Sequence, residues 1–227
     1  MYTFDLCHLG DNCAPGIIMS ECLNIRKKTL FMLGFYNFND ILKYLTLCDT
    51  PEYEYEMIYD RQYLNPYYKP QNWFKHTSFQ FTLNHDYKMV NNEIINSDRV
   101  KEWYDIKIKN FREMLMSDKP VIFINFTQNI DELNIAGMVN WLTNNVASFY
   151  LMIFTDKPYT VVNQYPNVFF ITLDISYVNW FEKEEHDKIA IYKDIYTKFI
   201  HTLDTAHIEH NFPKTYEYTH YAHLKIK

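Results

Sequence analysis

The sequence predicts a mixed α/β fold in a single domain, and three observations lead there. Residues 121–126, 149–154 and 168–173 are short apolar runs with almost no polar alternation. A strand of that kind is apolar on both sides, as a parallel sheet covered by helices on both faces requires. Stretches of helical periodicity fall around these runs, at residues 97–116, 131–144 and 182–203. Finally, hydrophobic residues make up 48% of the 227 positions and aromatics 18%, enough to bury a sizeable core and to exclude a disordered chain. No Gly/Ser-rich or charged linker divides the chain, so residues 1–227 read as one domain with a tail at 204–227.

Each element has its own signal. Residues 2–9 form a short first strand, closed by Gly10-Asp11-Asn12. Residues 15–25 read as a helix: Asp11 or Asn12 is available as the cap, Pro15 suits the first turn, and Ile17, Ile18 and Cys22 share a face. Residues 29–35 are a short buried segment, and 39–47 a second short helix capped by Asn39. From 50 to 76 the pattern gives way to Tyr, Pro and Asn, read as an ordered, irregular, aromatic-padded connection containing Pro66 and Pro70. Residues 77–83 alternate, with Phe79, Phe81 and Leu83 on one face, and end at Asn84-His85-Asp86. Ser97 or Asp98 caps the next helix, whose stripe is Val100, Trp103, Tyr104, Ile108, Phe111 and Leu115. In the helix over 131–144, Leu133, Ala136, Gly137 and Trp141 are expected to face inward.

Composition narrows the function. The chain has 22 basic and 28 acidic residues, a formal charge of −6, which argues against a nucleic-acid footprint. With only 4 glycines, it contains no phosphate-cradling glycine loop. No cofactor or metal is expected. Residues 1–10 lack the basic start and apolar core of a secretory leader, and no apolar run approaches the roughly 20 residues of a membrane span. All four cysteines (Cys7, Cys13, Cys22 and Cys48) lie in the first fifth, which reads as free thiols in a reducing cytoplasm. Scarce Gly with abundant Asn, Ile, Lys, Tyr and Phe is the mark of AT-rich codons, from a parasite, an AT-rich bacterium or a large DNA virus. In the last case the compartment is the host cytoplasm.

The candidate chemistry centres on Leu9-Gly10-Asp11-Asn12-Cys13-Ala14-Pro15. This order puts Cys13 at the start of a helix just after a tight turn, where unpaired backbone N–H groups and the helix dipole favour a thiolate. The rival reading of Cys13 is a small buried residue in a first turn. A thiolate nucleophile needs a base, and His85, at a strand end before Asp86, is the best placed of nine histidines. His8 is the second choice, expected at the surface. Asn125, polar inside an apolar strand, and Asp174, after another, are the candidates for a third, orienting group. Backbone pairing of Asn125 and a helix cap at Asp174 are the structural alternatives. His207-x-x-His210 and His220-x-x-His223 have zinc-compatible spacing but no cysteine nearby, so a polar tail explains them as well.

The Leu-Gly-x-Asn-Cys element at Leu9–Cys13 resembles the opening of an uncharacterised family of papain-like cysteine peptidases. His85-Asp86-Tyr87 is similar to that family's His-Asp-aromatic element. Residues 104–111 before Lys119-Pro120-Val121-Ile122-Phe123, and the Trp-containing residues 180–195, resemble its later blocks in the same order. The likeness spans residues 2–203. Two positions depart from it: Asn125 stands where the family carries Arg, and Phe35-Tyr36-Asn37-Phe38 replaces a Pro-Phe-Asp-Trp-like element. The resemblance implies a Cys-His hydrolase, with Cys13 as nucleophile, His85 as general base, Gly10 and Asn12 shaping the oxyanion turn, and a peptide or protein substrate. Two other classes compete with it, an inactive interaction module binding through residues 53–73 and an α/β transferase acting on sugars or nucleotides.

Overall fold

A computed structural model describes residues 3–10, 29–31, 34–35, 38–47, 55–59, 72–76, 82–83, 89–90, 93–94, 97–159, 164–179 and 182–216. Its centre is a four-stranded, all-parallel sheet in the order β1-β8-β9-β10. The strands are β1 (Asp5–His8), β8 (Val121–Phe126), β9 (Phe149–Thr155) and β10 (Val168–Thr172). Every residue of β8 is buried, as a central strand covered on both faces requires. Between β1 and β8 the chain forms β2 (Gly34–Phe35), α1 (Phe38–Leu47), β3 (Tyr55–Tyr59), β4 (Asn72–His76), β5 (Thr82–Leu83), β6 (Met89–Val90), β7 (Glu93–Ile94) and α2 (Ser97–Leu115). α3 (Ile135–Asn145) links β8 to β9, and α4 (Glu185–Thr205) follows β10. No helix among the described residues is long and apolar enough to cross a membrane.

The pleat divides the core in two. Cys7, Val121, Phe123, Leu151 and Ile153 face one apolar cluster with Phe31, Phe38 and Ile41, Phe111 of α2, and Met138 and Leu142 of α3. Ile122, Ile124, Phe126, Met152 and Phe154 face the other, against Ile191, Ile195, Phe199 and Leu203 of α4. Together with Tyr192, Tyr196 and Ile200, these α4 positions recur at three and four residues, one stripe of a 3.6-residue period. The helix ends in a Schellman turn: the Ile208 N–H reaches the Leu203 carbonyl at 2.9 Å and the His207 N–H that of Asp204 at 3.2 Å. His207 occupies the left-handed position, with φ of 54°.

Three expectations need correction. The helix expected over 131–144 is a short 3-10 turn (Ile130–Glu132) followed by α3. Asn134 caps it by accepting the Gly137 N–H at 2.9 Å, and this later start turns Ile135, Met138, Val139 and Leu142 inward while Ala136 is exposed. Asn39 is not a cap but lies inside α1, where it clasps α3: its amide donates to the Glu132 carbonyl and its oxygen accepts the Asn134 N–H, both at 2.8 Å. The aromatic connection over 50–76 contains β3 and β4, paired antiparallel from Tyr55↔His76 to Tyr59↔Asn72. Tyr, Phe and Trp favour pleated strands, while Pro66 and Pro70 fall between the two in sequence. Within the strand expected over 77–83, Thr82–Leu83 form β5, and residues 77–81 lie outside the described ones.

Candidate functional site

The carboxyl end of the parallel sheet gathers the polar residues that follow its apolar strands, and in open parallel sheets this is the end at which ligands bind. The ladder runs one residue past β1, with the Leu9 N–H donating to the Ile124 carbonyl at 2.7 Å. The chain then turns at Gly10, whose φ of 62° lies in the left-handed region. A side chain there would cost about 1–2 kcal/mol. Cys13 follows three residues later in sequence. Asn12, Cys13 and His85 themselves lie outside the described residues.

Asn125 is next to last in β8 and 0% exposed. Its amide nitrogen donates to the Leu9 carbonyl, so it grips β1 immediately before the Gly10 turn. Its Oδ1 is buried and accepts no hydrogen bond among the described residues. Asp174 lies elsewhere, past the end of β10 and two strands from Asn125 in the sheet order. It caps no helix: α4 begins after Glu184, and Asp174, 77% exposed, pairs with Lys198 of α4 at 2.9 Å. Asp194 of α4 in turn accepts the backbone N–H groups of Asp174 and Ile175, at 2.7 and 3.1 Å, fixing the loop after β10.

His8 overturns the expectation of a surface residue. It is the last residue of β1, 6% exposed, on the face of Ile124, with its ring 6.4 Å from that of Phe126. Burial lowers its pKa from 6.5 to about 4; the Phe31 backbone pulls the other way but makes no proper hydrogen bond to either ring nitrogen. A group so weakly basic is neutral at physiological pH and a poor general base. Neighbouring Cys7 is a free, buried thiol pushed up to about 12 by burial, with the Thr29 hydroxyl partly opposing. A thiol in that state is inert.

Sequence reasoning missed two further groupings. At the end of β9, Asp156 Oδ2 accepts the Ser176 hydroxyl while Oδ1 is buried without a partner. Its signal was an acid placed directly after an apolar strand. Beyond α4, His210 Nε2 lies 3.0 Å from Asp204 Oδ1. His207 and His210 therefore have local roles, one in the Schellman turn and one paired with Asp204, and no group of three metal-ligating side chains occurs among the described residues. His220 and His223 lie outside those residues. Comparison of the chain with protein-family models, with curated proteins and with solved structures finds no match in any of the three.

Proposed function

We propose that the chain is a papain-like cysteine hydrolase acting by acyl transfer, with its site at the carboxyl end of the parallel sheet. Cys13 is the nucleophile, His85 the general base, and Asn125 the residue that orients the imidazole. The observation that carries this reading is the Asn125 amide: its nitrogen is spent on Leu9, and its oxygen is buried and unpartnered beside the Gly10 turn. An unsatisfied buried oxygen costs about 1–3 kcal/mol, and such a group calls for an explanation. An imidazole N–H is the partner this reading supplies. Asp174 drops out of the orienting role because it is exposed and tied to Lys198.

In this reaction His85 takes the Cys13 proton and the thiolate adds to the carbonyl carbon of an amide or ester. The Cys13 backbone N–H stabilises the oxyanion. Collapse expels the amine or alcohol, which receives the proton from His85. Water, deprotonated by His85, then hydrolyses the thioester, releasing the carboxylic acid and restoring the thiol. Peptides or proteins are the substrate class. A cytoplasmic location, the host's if the source is viral, goes with this reading, because a reducing compartment keeps the thiol free. The parallel sheet, with its polar carboxyl edge, favours a second reading, a transferase acting on sugars or nucleotides.

A thiol-reactive amide probe tests the first reading. Wild type is expected to be labelled at Cys13, with Cys13→Ala unlabelled and His85→Ala strongly slowed. Equal labelling of wild type and Cys13→Ala overturns the nucleophile assignment.

A further inference from the structure

Five buried side-chain polar atoms lack a hydrogen-bond partner among the described residues, and four lie at the carboxyl ends of β1, β8 and β9: both His8 ring nitrogens, Asn125 Oδ1 and Asp156 Oδ1. The fifth, His210 Nδ1, is past the far end of α4. Asn125 belongs to the face of the acyl-transfer site, whereas His8 lies on the opposite face, toward α4. There Phe126 stacks on Phe154 at 4.8 Å and meets Tyr177 edge-on at 5.5 Å. Asp156 follows β9 directly and accepts a hydrogen bond from Ser176, the sequence neighbour of Tyr177 in that aromatic group.

We propose that this α4-facing end of the sheet binds an uncharged carboxamide, read by His8. A neutral imidazole offers one N–H donor and one lone-pair acceptor. A carboxamide carries the complementary pair, a carbonyl acceptor and N–H donors, and its donors also suit Asp156 Oδ1 in a longer ligand. A phosphate or carboxylate offers acceptors alone and would bring a charge against aromatic walls, where desolvation is expensive. The choice of carboxamide over hydroxyl rests on the acyl-transfer reading, since an amide is what a thiolate cleaves. Binding itself needs no thiol, because His8 and Cys13 act in separate steps. His8 is therefore a specificity residue and takes no part in proton transfer.

The test uses full-length Cys13→Ala protein with its histidine rings labelled with nitrogen-15. Butyramide, whose one polar group is a carboxamide, is titrated against its carboxylate counterpart, butyrate. The expected result is a saturable shift of the His8 ring resonances with the carboxamide, at least about tenfold weaker with the carboxylate, a ratio worth ~1.4 kcal/mol. A matching rise in melting temperature should vanish in His8→Phe and persist in part in His8→Gln, which keeps a donor and an acceptor. Unmoved His8 resonances, equal response to both ligands, or an undiminished melting shift in His8→Phe would each overturn the proposal. If His8→Phe does not fold, the resonance titration decides alone. Amide binding by a protein whose wild type and Cys13→Ala forms label equally would leave this site standing and remove the hydrolase.

Discussion

Lowering the pH attacks this fold at His8, and the size of the effect follows from its burial. The folded-state pKa is about 4, against 6.5 for an ordinary histidine. Between those values the unfolded chain binds a proton that the folded chain refuses, so stability rises with pH across that window. The contribution is fully present above about pH 6.5 and is lost as pH falls toward about 4. The difference of about 2.5 pKa units corresponds to ~3 kcal/mol, most of it gone by about pH 4.5. No discount for solvent screening applies, because the ring is buried between β1 and the α4 cluster. Urea unfolding of wild type and His8→Phe at about pH 7.5 and about pH 4.5 isolates this effect, since carboxylates titrating in both proteins cancel in the double difference. Wild type should lose ~2–3 kcal/mol more than the variant over that interval, or about 5–10 °C in melting temperature. At neutral pH, His8→Phe should itself stabilise by about 1–3 kcal/mol, because two unpaired polar atoms leave the core. Identical pH slopes for the two proteins would refute the burial argument.

Two other substitutions test the frame, and one the site. Asn39→Ala removes both 2.8 Å hydrogen bonds of the α1–α3 clasp, an expected loss of about 2 kcal/mol and 4–8 °C on thermal unfolding; an unchanged melting temperature would mean the clasp orders nothing. His207→Gly places at φ of 54° the residue best suited to the left-handed position and should stabilise by ~1 kcal/mol in the same assay, if the Schellman turn is what holds His207 there. Asn125→Leu exchanges the unpartnered oxygen for an unpaired Leu9 carbonyl, so its stability change should stay within about 1 kcal/mol. Labelling of Cys13 by the amide probe should nevertheless fall on the order of 10²-fold, and undiminished labelling would remove Asn125 from the site.

The parallel sheet was legible because such strands are apolar on both faces: 121–126 and 149–154 admit few other readings. The long helix was legible for a related reason, since Ile191, Ile195 and Phe199 repeat at the helical period. What misled was phase and exposure. The α3 stripe depends on where the helix starts, and that is decided by Asn134 and by Asn39, 95 residues earlier in the chain. Neither contact has a local signature. The antiparallel partners β3 and β4 are obscured in the sequence because the stretch between them, with Pro66 and Pro70, carries no strand pattern. His8 was misjudged because a polar residue at a strand end normally points to water; whether it does depends on α4, about 180 residues later.

Three of the residues that sequence reasoning places poorly share one location in the fold. His8 and Asp156 were overlooked or misplaced, Asn125 was left between two roles, and all three sit at one end of one sheet with unpaired buried atoms. Elsewhere, His210 Nδ1 apart, named polar side chains of the frame are matched: Asn39 with α3, Asn134 with Gly137, and Asp194 with the loop after β10. A chain that satisfies these polar groups in the frame has the means to remove unpaired ones at the carboxyl edge as well, by a substitution as simple as His8→Phe. Keeping the local rule broken there, where ligands of parallel sheets bind, is the pattern expected when stability is given up for recognition. The same logic explains why Gly10, one of 4 glycines in the chain, occupies the left-handed turn at that edge. At that position glycine closes β1 without the strain a side chain would bring.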